Sequence, residues 1–136
     1  MCSSDLAVDL GLAGELERAL DEVAGDGRAQ AVVLAGSEGC FSAGLDLKAL
    51  PAYGPEKQRE LVLGFGRALV RLYGLPRPVV AAVDGHAIAG GAILAWAADY
   101  RFMATGSGRI GVPELQVGVP FPPVALEIVQ IGRAHV

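Results

Sequence analysis

The chain has no surplus of positive charge. Eleven Lys and Arg stand against fifteen Asp and Glu, for a net charge of −4, so there is no basic footprint for a nucleic acid. No apolar run is long enough for a membrane. The longest, Ala87 to Ala98, is about half of the ~20 residues that span a bilayer. No signal or transit pattern stands at the start. The two cysteines, Cys2 and Cys40, make no disulfide framework, which fits a reducing cytoplasm. Repeats, linkers and low-complexity segments are absent, and no metal site is expected. What abounds is apolar: 52% of residues, against 19% charged. In 136 residues that makes at most one domain, with a core and without disorder.

The two ends stand apart. "CSSDL" near the start and "IGRAHV" at the finish are both what common sequencing-adapter DNA encodes when translated. Residues 1–6 and 131–136 are therefore expected to be artefact, as a fusion scar would be. The natural gene is then expected to continue in both directions.

Between the ends, hydrophobic spacing separates helix from strand. Leu12, Leu16, Leu20 and Val23 recur at helical intervals with charges between them, which predicts an amphipathic helix over 10–24 closed by Gly25. "AQAVVLAG" at 29–36 reads as a fully buried strand. Pro55 opens a second helix along Leu61, Phe65, Leu69 and Leu72. "RPVVAAV" is another buried strand, followed by an Asp84-Gly85 turn, a loop with His86, and the glycine-led helix of "HAIAGGAILAWAADYR". Residues 101–103 look like strand and "RIGVPELQVGV" loosely like strand, then loop. Strand and helix alternate, so the class is α/β with a mainly parallel sheet.

Two glycines at the mouth of a buried helix need a reason, since glycine costs roughly 1 kcal/mol there against alanine. Gly90 and Gly91 have no Cβ. Either the helix start packs closely on a strand, or an oxygen atom approaches its free N–H groups. A second segment, "FSAGLDLK" at 41–48, also leaves a strand with a small-Gly pair and presents the Leu45 N–H. Two backbone N–H groups from two turns can converge on one oxygen. That is an oxyanion hole, and it needs no side chain.

Taken together, "FSAGLDLK", "VVAAVDGHAIAGGAILAWAADYR" and "GVPELQVGVP" at this separation resemble the crotonase superfamily, the enoyl-CoA hydratases and isomerases. The resemblance covers residues 7–130. It implies a spiral of ββα units, truncated at both ends, and a full-length homotrimer or hexamer. The substrate it implies is an acyl-CoA thioester, with coenzyme A as part of the substrate and no separate cofactor. It places the oxyanion hole on Leu45 and Gly90. It also implies substrate and CoA contacts at Ser42, Ala43, Leu47, Lys48 and Gly91. Lys48 would meet a phosphate of CoA, or else be a solvated lysine at a helix start.

Hydratases of the family hold water between two glutamates. Here the first position is Ile93, which transfers no proton. The second is Glu114, either a surface loop carboxylate or, by the resemblance, the catalytic base. Asp99 is expected to be structural, Asp46 to cap a turn, and His86 to pack or hydrogen-bond. One base over an enolate suffices to move a double bond. The pattern therefore implies a Δ3,Δ2-enoyl-CoA isomerase, inactive as an isolated fragment. The alternatives are an enoyl-CoA hydratase that recruits another carboxylate, and a non-catalytic acyl-CoA-binding protein.

Overall fold

A computed structural model of the chain describes residues 7–37, 39–46, 49–118 and 120–131. Its strands are β1 (Ala7–Val8), β2 (Val32–Ala35), β3 (Cys40–Ser42), β4 (Gly44–Leu45), β5 (Val79–Val83), β6 (His86–Ile88), β7 (Tyr100–Met103) and β8 (Ile110–Gly111). Its helices are α1 (Leu10–Gly25), α2 (Pro55–Tyr73), α3 (Gly90–Ala97), α4 (Glu114–Val117) and α5 (Pro123–Ile131).

The first two helices follow their periodicity. Asp9 caps α1 by accepting the Leu12 N–H at 2.8 Å, a contact that contributes about 1 kcal/mol. α1 turns its buried Ala13 and Leu20 inward. On α2, Leu61, Phe65, Leu69 and Leu72 are all buried. Each such side chain contributes roughly 1.5–3 kcal/mol by leaving water. Arg71 also pairs with Glu17 and Asp21 along the α1–α2 seam, at 2.7 and 2.8 Å. Partly exposed pairs of that kind are worth about 1 kcal/mol. The apolar stripe decides the packing.

The strands repeat a simple course. β2, β5 and β7 pair in parallel as one three-stranded sheet, and β3, β6 and β8 as another. Each pass of the chain lays a strand in the first sheet, turns, lays a strand in the second, and leaves in a helix. The result is a spiral of ββα units, as the resemblance implied. The turns stack at the corner between the sheets. A Cβ on Gly85 would collide with the Gly39 carbonyl, and one on Gly108 would lie 2.7 Å from the Gly85 carbonyl. The sequence shows no repeat because so little has to recur: a glycine at each corner and apolar residues in each strand.

Several expectations are corrected. β2 is not fully buried. It is an edge strand of its sheet, and Val33 is 66% exposed. Val33, Val80 and Tyr100 form one cross-strand row, and Ala35, Ala82 and Phe102 the next. Among the described residues nothing covers that face, so Tyr100 and Phe102 are exposed too. The apolar run of β2 identifies a strand but cannot say how many of its faces will find partners. His86 opens a strand rather than lying in a loop. The segment after β8 is also not loop throughout, since it forms α4 and then α5. Cys40 is disulfide-bonded, against the expectation for the cysteines, and Cys2 lies outside the described residues. No helix among the described residues is long and apolar enough to cross a membrane.

The stacked corner is testable by adding one methyl group. Gly85→Ala should lower stability by about 2 kcal/mol or more, because backbone must move to admit the Cβ. Gly14→Ala, in α1 with nothing near the new Cβ, should raise it by roughly 0.5–1 kcal/mol. Urea unfolding midpoints of the two variants check the contrast, and an unperturbed Gly85→Ala would disprove the stacking.

Candidate active site

The two glycine-bearing turns meet, backbone against backbone. Gly44 sits at φ +79°, where a side chain is strained. A Cβ there would lie 2.8 Å from both the Gly90 nitrogen and the Ile88 carbonyl oxygen. Next to it, a Cβ on Gly91 would strike the carbonyl of Ser42. No residue larger than glycine fits either place. The Asp46 N–H donates to the Val8 carbonyl at 3.1 Å, so β4 is pinned to β1. The Leu45 N–H, one residue earlier, therefore points to the edge away from β1.

Ala89 opens α3 in a conformation that alanine avoids, at φ 53° and ψ −122°, and offers no side-chain cap. Such backbone costs roughly 1–3 kcal/mol and persists where its surroundings hold it. Here the Ala89 N–H donates to the Gly111 carbonyl at 2.8 Å, while its own carbonyl accepts from Ile93 at 3.2 Å. The first N–H groups of α3 are left at the positive end of the helix.

Leu45, Gly90 and Glu114 line one cleft of about 460 Å³. Its walls include Ala43, Leu50, Val62, Phe65, Ile93 and Phe121. Glu114, at the start of α4, is 7% exposed, which corrects the surface-loop alternative. Its Oε2 is buried without a hydrogen-bond partner among the described residues. A buried polar atom of that kind costs free energy, and a ligand that fills the cleft can supply the missing partner. Among the described residues lining the cleft, Glu114 is the only one that ionises.

The other sequence-derived positions fall around this cleft. Ala43 lines it. Ser42 and Gly91 do not; they lie behind its wall, where Ser42 Oγ accepts the Gly44 N–H at 3.2 Å and Gly91 packs on Ser42. Leu47 and Lys48 lie outside the described residues. Asp99 has a structural place, since its Oδ2 accepts the Val79 N–H at 2.7 Å and its own N–H donates to the Val79 carbonyl. Asp46 caps a turn, accepting from Ala49 at 3.1 Å. His86 Nδ1 accepts the Arg109 N–H at 3.3 Å. No group of side chains suited to a metal ion occurs among the described residues.

Sequence reasoning misses Gln58 and Phe121, which both line the cleft. Gln58 donates to the carbonyls of Leu50 and Tyr53, at 3.1 and 3.0 Å. The signal for it is present: a polar residue three positions before Leu61, on the apolar stripe of α2. Phe121 carries no such signal, standing among prolines that read as loop.

Comparison with known proteins identifies a family. The family model for enoyl-CoA hydratase/isomerase matches residues 6–134. The chain is 41% identical over 110 residues to a Thermus thermophilus protein whose name proposes an enoyl-CoA hydratase, covering 79% of this chain and 43% of that protein. It is 34% identical over 97 residues to enoyl-CoA delta isomerase 3 of Arabidopsis thaliana, covering 68% and 41%. A crystal structure of an enoyl-CoA hydratase/carnithine racemase from Magnetospirillum magneticum superposes with a TM-score of 0.82 at 28% identity, over 95% of this chain and half of that one. The chain thus spans about two fifths to one half of the length of these proteins.

The carboxylates of Glu114, which is buried, and Asp99, which is half-buried, should respond oppositely to removal. Glu114→Leu should leave stability unchanged or raise it by about 1 kcal/mol, because a polar atom without a partner is replaced by an apolar group of similar size. Asp99→Ala should cost about 1–3 kcal/mol, because the Val79 N–H loses its acceptor. Chemical unfolding of both variants checks this. A destabilised Glu114→Leu would make Glu114 a structural residue.

Proposed function

The chain belongs to the enoyl-CoA hydratase/isomerase family, and on that premise we propose that it carries the catalytic centre of a Δ3,Δ2-enoyl-CoA isomerase. One observation carries the choice within the family: Glu114 is the only ionisable side chain among the described residues lining the cleft, and Ile93 stands buried there. Adding water across a double bond calls for groups that both activate the water and deliver a proton. Moving a double bond calls for one base that lifts a proton and sets it down again.

In this proposal the thioester oxygen of a 3-enoyl-CoA lies between the N–H groups of Leu45 and Gly90. The Glu114 carboxylate takes a proton from C2, and the electron pair of that C–H bond passes into the thioester as a dienolate. The two N–H groups, with the positive end of α3 behind Gly90, stabilise the charge as it forms. The carboxylic acid then returns the proton to C4, leaving the double bond between C2 and C3. The apolar walls exclude water that would quench the dienolate or compete for the proton. Gly44 and Ala89 position the two donors and touch no reacting atom. Coenzyme A enters as part of the substrate, and the whole protein assembles as a homotrimer or hexamer.

The rival reading is an enoyl-CoA hydratase, favoured by the name of the Thermus thermophilus relative. In the complete gene product, Glu114→Gln should reduce isomerisation of a 3-enoyl-CoA by about 10²–10⁴-fold while acyl-CoA binding stays within a fewfold. The unaltered protein should isomerise the 3-enoyl ester faster than it hydrates the 2-enoyl ester. The reverse order would establish the hydratase. Retained binding with neither reaction would leave an acyl-CoA-binding protein.

A further inference from the structure

Only two polar side chains stand among the described residues lining the cleft, those of Glu114 and Gln58. Glu114 has its part in the proposed reaction; Gln58 has none. It is half-buried near the start of α2, and the orientation of its amide is fixed. The amide meets two carbonyl oxygens, those of Leu50 at 3.1 Å and Tyr53 at 3.0 Å. A carbonyl accepts and cannot donate, so only the Nε2 end of the amide can face them. Both N–H groups of Nε2 are then committed. Oε1 is the polar atom that Gln58 leaves to the cleft it lines, and no hydrogen bond reaches it among the described residues.

The wall between Gln58 and the oxyanion site is hydrocarbon. Gln58, Val62 and Phe65 follow one another at i, i+4 and i+7 on α2, and all three line the cleft. Phe65 marks the oxyanion end, since its ring lies 3.1 Å from where a Cβ on Gly90 would stand. At ~1.5 Å per residue, Gln58 is about 10 Å further along the helix. The pantetheine arm of a CoA thioester, with its two amides, would find no polar partner along that wall. The acyl arm suits it. A plain alkyl chain that reached Gln58 would strip water from Oε1 and leave an acceptor unmet, which is penalised. A hydroxyl at that point would donate to it.

We propose that Gln58 is a specificity residue that selects acyl groups carrying a hydroxyl, whose O–H donates to Oε1. The hydroxyl stands at about C6 to C8, because the ~10 Å span less a hydrogen bond of ~3 Å leaves about six bonds of extended chain. The proposal rests on the acyl-CoA reading of the cleft and adds to it the chemistry of the acyl group.

The test is equilibrium binding of unreactive saturated thioesters to the complete gene product: octanoyl-CoA, its 6-, 7- and 8-hydroxy derivatives, and the matching fluoro derivatives. Fluorine resembles a hydroxyl in size and dipole but has no proton to donate. At least one hydroxy ester should bind about three- to tenfold more tightly than octanoyl-CoA and than its fluoro counterpart, the worth of one net hydrogen bond. Gln58→Met, of similar length and without the acceptor, should abolish that preference. Equal affinities for hydroxy, fluoro and plain esters on the unaltered protein would overturn the proposal and leave Gln58 a tie for the 50–53 turn. A preference that survives Gln58→Met would overturn it as well. So would a loss on substitution that is equal for all esters and for free CoA, which would place the donor on pantetheine. Failure of the unaltered protein to bind even octanoyl-CoA would instead overturn the acyl-CoA reading beneath it.

Discussion

Everything in the cleft depends on two stretches of backbone lying closer together than side chains permit. The 42–45 segment and the first turn of α3 touch through Gly44, Gly90 and Gly91, where any Cβ would meet backbone or Phe65 within about van der Waals range or less. That approach brings Leu45 and Gly90 to one cavity. It also explains the strain at Ala89. A relaxed alanine there would turn the start of α3 away from Gly44, and the bond to Gly111 keeps it in place.

The spiral supplies the rigidity that this contact needs. Each ββα unit adds a parallel strand to both sheets, so β6 is held by β3 on one side and β8 on the other. The end of β6 carries Ile88, which leads directly into Ala89 and α3. The helix mouth is therefore positioned by three successive turns of the chain, while Glu114, the proposed base, arrives on the next helix. A carboxylate oxygen buried without a hydrogen-bond partner among the described residues adds no stability. Its cost is offset by the leucines of α2 and the apolar faces of the sheets, an arrangement typical of sites in which stability is given up for reactivity.

Much of this is legible in the order of the amino acids. The i, i+4 leucines of α1 and α2 mark both helices almost to the residue, because a long amphipathic pattern has only one way to bury its stripe. Leu45, Gly90 and Glu114 stand out as motif positions and do share a cleft. β6 reads as loop because three residues are too few to show a period. α5 escapes notice because the prolines at 120, 122 and 123 signal a break, whereas Pro123 is the first residue of the helix, where its missing N–H costs nothing. Gln58 is hidden as an ordinary polar residue at a helix start.

The two long helices, the family and the identity of the glycines belong to the sequence, since periodicity and the absence of a Cβ are local properties that no partner can change. Which faces are covered is settled only by packing. β2 carries the same kinds of residues as β5, yet Val33 is exposed while Val79 and Val83 are buried. Packing also places Glu114 inside the molecule and puts Ser42 and Gly91 behind the cleft rather than in it. Burial, proximity and continuity are relations between segments distant in the chain, and they exist only once those segments have packed.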